Sequence, residues 1–530
     1  TRYPVSDVYG IFIAKVHVIS TQDTEVMQVG ETVYKHYPCV IQGLPHDKVT
    51  SCFVESCQFP NSYLPGLNGD YDGDQTTMKI VWSLEANKEC EEVINRKSNL
   101  LGANGGLIRH VGNEADQTIY TMTKDPTEHS RTLSEEERNE IVHITRKELT
   151  FDKWTEWFAV KYDEESGKTE LPKYHCQDVF VLKKGEYAGI KEDTKTTVGK
   201  YLFNRFLFGD TPFESLIPYA NNVLYSKDFG NIESTVAKLL LFDRVTTEDV
   251  KNYIDRRDWM GFQIHSLITT SFTMETIKTS PEVRKLRDEL YKKYKKELEA
   301  GDTIVMAQIE KALIDKTMEV LKDNPGMDLY VSGARGSVGN NMKNMMMVRG
   351  SVKDRNTGKY DLVLSSLNDG LRKEDIPASS NVIVGGAYPK AVGTQVSGYI
   401  SKQLSSSCQT EILDVEGSDC GTKRGIPTII RKKHIYRYII DGGKLVLLDD
   451  NNINKYLGKK MMMRSPLSCV LTKNHKLCNK CCGNFYYMLD NMNIGLSASK
   501  VGTSLTNLGM KKFHNNVLKF HTLDPDDMLI

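Results

Sequence analysis

At 530 residues and 39% apolar content, the chain is long enough to bury several hydrophobic cores. Its 69 basic residues balance 69 acidic ones, which a nucleic-acid binder acting alone does not favour, so any basic channel must be local or shared with partners. No run of about 18 apolar residues occurs and no charged-then-apolar leader opens the sequence, so no membrane partner is expected; with eleven cysteines this points to a reducing, intracellular compartment.

In chain order, residues 1–130 read as β-rich, with alternating runs from Ile11 to Val18 and from Thr77 to Trp82. Between these runs lies Asn68-Gly69-Asp70-Tyr71-Asp72-Gly73-Asp74-Gln75, with three carboxylates at alternate positions. Two residues apart on a straight strand, carboxylates sit roughly 6.5 Å from one another, so Asp70 and Asp74 share an ion only if the chain curls at Gly73. Curled in that way, Asp70, Asp72 and Asp74 suit Mg²⁺, which takes a few carboxylates together with water and substrate phosphate. The chemistry indicated is metal-assisted phosphoryl transfer. An EF-hand calcium loop does not fit, because counting from Asp70 the glycine is fourth rather than sixth and the twelfth residue is Val81. Asp-Gly repeats also mark solvated turns, and the triplet by itself leaves that reading open.

Residues 131–190 are charged, carry Trp154 and Trp157 close together, and match no recognisable element, so they read as an unassigned insertion. Residues 191–330 read as helical. Ser280-Pro281-Glu282 is a helix start, with a capping hydroxyl and proline at the first helical position, followed by Val283, Leu286 and Leu290 at helical spacing. A break at Gly301-Asp302-Thr303 precedes a second helix carrying Ile314, Met318 and Leu321. The resulting charged hairpin serves equally well as a plain solvated one, and no chemistry is attached to it. Within 331–404 lie Gly385, Gly386, Pro389 and Gly393, and in any helix that runs through them Pro389 predicts a kink or unwound turn near 385–389.

In residues 405–490, Cys478-x2-Cys481 forms one arm of a metal knuckle, with Cys469 shortly before it and Cys420 far upstream. Cys482 adjoins Cys481 and could replace it as a ligand. Cys39, Cys52, Cys57, Cys90, Cys176 and Cys408 read as buried small hydrophobes. The runs Arg431-Lys432-Lys433-His434 and Lys459-Lys460 could touch phosphates or simply be solvated. In 491–530, Asn507, Met510, Lys511 and His514 recur on one helix face, around Gly509, which costs about 1 kcal/mol relative to alanine. Met and His at that spacing are, taken alone, also ordinary core or surface filler.

The aspartate segment resembles the catalytic loop of the largest subunit (β′) of multisubunit DNA-dependent RNA polymerases. Thr1-Arg2-Tyr3-Pro4, Ser83-Leu84-Glu85-Ala86, Ala103-Asn104-Gly105, Thr196-Thr197-Val198-Gly199-Lys200, Ser332-Gly333-Ala334-Arg335-Gly336-Ser337 and Met347-Val348-Arg349-Gly350 resemble further β′ signatures in family order. The resemblance implies a multidomain α+β fold. Its parts are a portion of a double-psi β-barrel (1–130), funnel and rim helices (191–330), a bridge helix (within 331–404), a zinc-binding region with four cysteine ligands (405–490) and the first half of a trigger loop (491–530).

It also implies roles. Asp70, Asp72 and Asp74 hold Mg²⁺ for two-metal nucleotidyl transfer, and Arg2 and Asn68 read sugar hydroxyls. Asn507, Met510 and Lys511 bind the incoming nucleotide, with lysine where the family usually has arginine. His514 sits near the β-phosphate as positional catalyst or proton donor. Thr394 and Gln395 face the template base. Cys420, Cys469, Cys478 and Cys481 hold a structural Zn²⁺.

The activity implied is DNA-directed RNA synthesis from nucleoside triphosphates, active only within a multisubunit complex. Because the chain begins at the Arg-x-Pro motif and ends soon after the trigger-loop face, it looks like part of a split β′, as in giant bacteriophages. Expected partners are β-like chains, an N-terminal β′ chain and a chain completing the trigger loop, with DNA template, RNA product and nucleoside triphosphates, inside an infected bacterial host or packaged in the virion. A single-chain RNA-templated polymerase, or an inactive scaffold in a polymerase-like assembly, are the alternatives.

Overall fold

The computed structural model describes residues 16–19, 25–28, 31–34, 54–57 and 81–490, apart from 103, 164–167, 270–271, 323, 354–357, 371, 389–393 and 409. The chain divides into two compact units, one formed by Thr1–Thr270, Ser332–Arg335 and Asn484–Asn491 and the other by Ser271–Val331, Gly336–Gly483 and Met492–Ile530.

In the first unit, strand β1 (Val16–Ile19) pairs antiparallel with β4 (Val54–Cys57), and β2 (Glu25–Gln28) pairs with β3 (Glu31–Tyr34). Among the described residues from 81 on, the β-rich expectation for 1–130 fails. Residues 84–94 and 114–123 are helices α1 (Leu84–Ile94) and α2 (Glu114–Thr123), and Trp82 lies outside any strand. Helix wins in α1 because the Ser83 hydroxyl accepts the Ala86 N–H at 3.1 Å and good helix formers follow.

The stretch 131–190 is no appendage. Its helices α3 (Glu135–His143) and α4 (Phe151–Phe158), hairpin β5 (Lys161–Asp163) and β6 (Lys168–Glu170), and strand β7 (Val179–Leu182) belong to the unit's fold, and β7 pairs with β8 (Thr194–Thr197). Trp154 and Trp157 are fully buried in the same apolar core as α5 (Val198–Phe208), α6 (Ser226–Leu241) and α7 (Thr247–Gln263). Trp154 stacks on Phe158 at 5.4 Å and meets Phe206 edge-on at 6.3 Å, while Trp157 Nε1 donates to Glu140 Oε1 at 3.1 Å. Because α5 begins on the Thr197 cap and is buried almost throughout, it needs a residue without a side chain at Gly199, where a Cβ would stand 2.1 Å from the Met122 carbonyl oxygen. The described residues of 191–330 are thus largely helical, after one leading strand.

In the second unit, α8 (Pro281–Lys293) starts on Ser280, whose hydroxyl accepts the Val283 N–H at 3.2 Å, and α9 (Thr303–Val320) starts on the Asp302 carboxylate. The hairpin is not simply solvated. Its most buried positions are Met306, Ile309 and Leu313, with Leu321 also buried and Ile314 and Met318 partly buried against the same core, and it packs on a π-helical segment, Val338–Met347, through Met342, Met346 and Met347. Strands β9 (Gly350–Lys353) and β10 (Tyr360–Val363) form a hairpin, followed by helices α10 (Ile376–Tyr388) and α11 (Thr394–Cys408). Gly385 and Gly386 remain inside α10, so the helix is not unwound there. The described part of α10 runs to Tyr388, and Pro389 lies outside the described residues.

The remainder holds six strands among short helical turns: β11 (Ile412–Leu413), β12 (Ile426–Ile429), β13 (Tyr438–Asp441), β14 (Lys444–Leu447), β15 (Lys460–Met463) and β16 (Lys476–Leu477). Four of these strands make an antiparallel sheet in the order β12-β15-β13-β14, closed by Ile430, Ile439, Leu448, Ile453 and Tyr456. No helix among the described residues is long and apolar enough to cross a membrane.

Candidate metal centre

Two chain segments far apart in sequence meet because β11 runs parallel to β16, with Ile412 opposite Lys476 and Leu413 opposite Leu477. The loop after β11 therefore lies beside the segment that follows β16. It is held there by Asn479, which is buried: its N–H donates to Ser418 Oγ at 3.0 Å, and its Oδ1 accepts the Gly417 N–H at 3.2 Å. Cys420 comes from this loop. Cys478 caps a one-turn helix, Asn479–Cys482, that carries Cys481, and Cys469 sits between two 3₁₀ turns, Pro466–Ser468 and Val470–Asn474. The helix ends at Gly483, at φ 86°, where a Cβ would stand 2.5 Å from the Tyr436 carbonyl oxygen.

The Sγ atoms of Cys420, Cys469, Cys478 and Cys481 all lie within 4.8 Å of one another. The Cys420–Cys481 separation is 3.7 Å. That is far beyond a disulfide, and it matches the edge of a tetrahedron of sulfurs about 2.3 Å from a central ion, roughly 3.8 Å. The set fits a structural zinc by donor chemistry, number and spacing. Cys481 is one of the four gathered thiols and its neighbour Cys482 is not. Cys478 and Cys481 are fully buried, Cys469 is buried and Cys420 half-buried.

Burial raises the Cys420 thiol, but N–H groups of Val470 and Thr422 and the neighbouring thiols outweigh it and bring it down to about 7. Burial pushes Cys469 and Cys481 up, with Arg464 opposing at Cys481. Cys482 is pushed up to about 12, chiefly by burial, as expected of an inert thiol.

A residue that the cysteine spacing did not reveal also belongs here. The Arg464 guanidinium donates from Nε and Nη2 to Cys481 Sγ at 3.4 and 3.3 Å, and from Nη2 to Cys420 Sγ at 3.4 Å and Asp419 Oδ1 at 2.7 Å. An arginine a few residues before a cysteine carries no such signal in sequence.

The other site residues divide into those described and those not. Arg2, Asn68, Asp70, Asp72, Asp74, Asn507, Met510, Lys511 and His514 lie outside the described residues. Thr394 opens α11, and Gln395 follows it with an exposed side chain. Of the cysteines read as buried hydrophobes, Cys176 is buried and Cys90 only half-buried; Cys39 and Cys52 are outside the described residues, as are the side chains of Cys57 and Cys408. Pairing of β12 with β15, continued by the Ile430 N–H to the Lys459 carbonyl at 2.9 Å, places the basic runs 431–434 and 459–460 side by side. Burial, and after it the surrounding cations Lys433, Arg437 and Arg431, lowers His434 below the usual imidazole range.

No family model matches the chain. It is similar to proteins named DNA-directed RNA polymerase subunit beta'. Identity is 25% with that of Ureaplasma urealyticum over 94% of this chain and 44% of the relative, and 24% with that of Borrelia hermsii over 94% and 37%. With that of Borreliella afzelii it is 23%, over 96% and 38%. The chain thus spans about two fifths of the length of these curated relatives.

Proposed function

We propose that this chain is the catalytic-loop portion of a β′-type subunit of a multisubunit DNA-directed RNA polymerase. The observation that supports this most is similarity to proteins of that name over 94% of the chain, with the polymerase-like motifs in family order. The four gathered thiols agree with it, since they occupy the positions at which the resemblance expects zinc.

In this reading Asp70, Asp72 and Asp74 hold Mg²⁺, which supplies charge neutralisation where the 3′-hydroxyl meets the nucleotide phosphate. Arg2 and Asn68 bind sugar hydroxyls and so favour ribonucleotides. The face of Asn507, Met510, Lys511 and His514 closes over the nucleotide, offering an amide to the ribose, a thioether to the base and polar or cationic groups to the triphosphate. Thr394 and Gln395 face the template base. Cys420, Cys469, Cys478 and Cys481 would hold Zn²⁺ as a structural cross-link. Division of β′ among several chains, as in giant bacteriophages, is part of the same proposal, as are other polymerase subunits, DNA, RNA and nucleoside triphosphates as partners.

The test is Asp72→Ala in the enzyme assembled with its partner chains. Extension of an annealed RNA primer should be abolished while assembly is retained. Near-normal extension by the assembled variant refutes the assignment.

A further inference from the structure

Arg464 follows β15, and its backbone N–H is held by the Tyr438 carbonyl at 2.8 Å. Its side chain turns inward until only 2% is exposed. A guanidinium so buried must have its donors satisfied, because an unpaired buried charge is costly. One partner is Asp419, itself fixed by the Gly421 N–H at 3.0 Å. The others are sulfurs: Cys481 and Cys420 within 3.4 Å, and Cys478 at 3.9 Å from the same Nη2. One planar group therefore links the loop bearing Cys420 to the helix bearing Cys481.

Four thiolates around a divalent cation carry two surplus negative charges. Inside a protein that surplus is unfavourable unless donors or cations face the sulfurs. Asp419 is 37% exposed, so water screens its charge, whereas the guanidinium is enclosed against the sulfurs. Lysine, a point charge with no fork, could not span the same sulfurs.

We infer that Arg464 is a positioning residue for the bound metal: its guanidinium holds the Cys420 and Cys481 sulfurs at ligand spacing and offsets part of the surplus charge, so that the ion is retained. This rests on the reading of the four thiolates as a zinc site.

The experiment follows zinc content and the rate of zinc transfer to a chromogenic chelator in the purified full chain, together with the thiolate-to-metal charge-transfer band after Co²⁺ substitution. Wild type should hold about one zinc per chain. Arg464→Met keeps a long side chain without donors and should release zinc roughly 10–100-fold faster, with a shifted Co²⁺ band. Arg464→Lys should fall between the two. Asp419→Ala keeps all four sulfurs and the guanidinium but unpins it, and should accelerate release less than Arg464→Met. A folded Arg464→Met chain with wild-type release and an unshifted band overturns the inference. Should that variant not fold, wild-type release from both Arg464→Lys and Asp419→Ala overturns it. A wild-type chain without zinc overturns the metal reading and this inference with it, whereas unchanged release from zinc-bearing variants overturns the inference alone.

Discussion

Cys478→Ser and Cys482→Ser are changes at the two ends of the same one-turn helix, both at buried thiols, yet only the first removes a sulfur from the cluster. Structural zinc sites in small domains bind with about 10–16 kcal/mol. Shared evenly over four thiolates, that is about 3 kcal/mol per ligand, and at 1.4 kcal/mol per tenfold the loss of one is worth roughly a hundredfold in affinity. Cys482→Ser instead exchanges a buried thiol for a hydroxyl with no assured partner. Its cost, about 1–3 kcal/mol, falls on folding stability and not on the metal. Chelator competition on the purified chain, with elemental analysis of zinc, measures the first quantity, and denaturant unfolding measures the second. Cys478→Ser should lose metal at chelator concentrations that leave Cys482→Ser loaded. Equal zinc affinity in the two variants, or loss confined to Cys482→Ser, refutes the geometric assignment.

Trp154→Ala should destabilise the chain by about 3–5 kcal/mol, because the indole is fully enclosed between Phe158 and Phe206 and leaves a cavity that the core cannot close. Denaturant unfolding followed by far-ultraviolet circular dichroism measures it, and a loss under about 1 kcal/mol would show that 131–190 does not share the core. Asp369→Asn tests an ion pair in the second unit. Burial raises the Asp369 carboxyl, but Arg287 and the Ser366 hydroxyl and N–H outweigh it and hold it well below the usual carboxylate range. A depressed folded-state value contributes stability that is present above the unfolded carboxylate's ~3.9 and lost as pH falls toward the folded value. Asp369→Asn should therefore be less stable than wild type at neutral pH and lose less below about pH 4; parallel acid limbs in the two proteins contradict this.

Local chemistry was legible in the sequence wherever it is decided over a few residues. The Ser280-Pro281 start of α8 and the break at Gly301-Asp302 depend on caps and backbone angles, and the structure has both of them. The knuckle Cys478-x2-Cys481 was legible too, because one helical turn puts positions three apart on one side. By contrast, residues 1–130 read as β-rich, yet 84–94 and 114–123 within them fold as helix, since the Ser83 cap and the burial of α2 in the first core outweigh the expected alternation.

Ile314, Met318 and Leu321 all meet the second core, but the deeper burial of Met306, Ile309 and Leu313 was not legible, because how an apolar helix is covered depends on the π-helical segment packed against it. Trp154 and Trp157 gave no sign of their place, for a tryptophan is buried only by partners that sequence distance hides: Phe206 on α5, and Glu140, which accepts the Trp157 N–H. The same limit applies at the metal centre. Which cysteines could bind an ion followed from spacing and resemblance, but the choice of Cys481 over Cys482, and the enclosure of Arg464 among the sulfurs, arose only when β11 paired with β16 and β15 delivered a charged side chain into a space that water cannot reach.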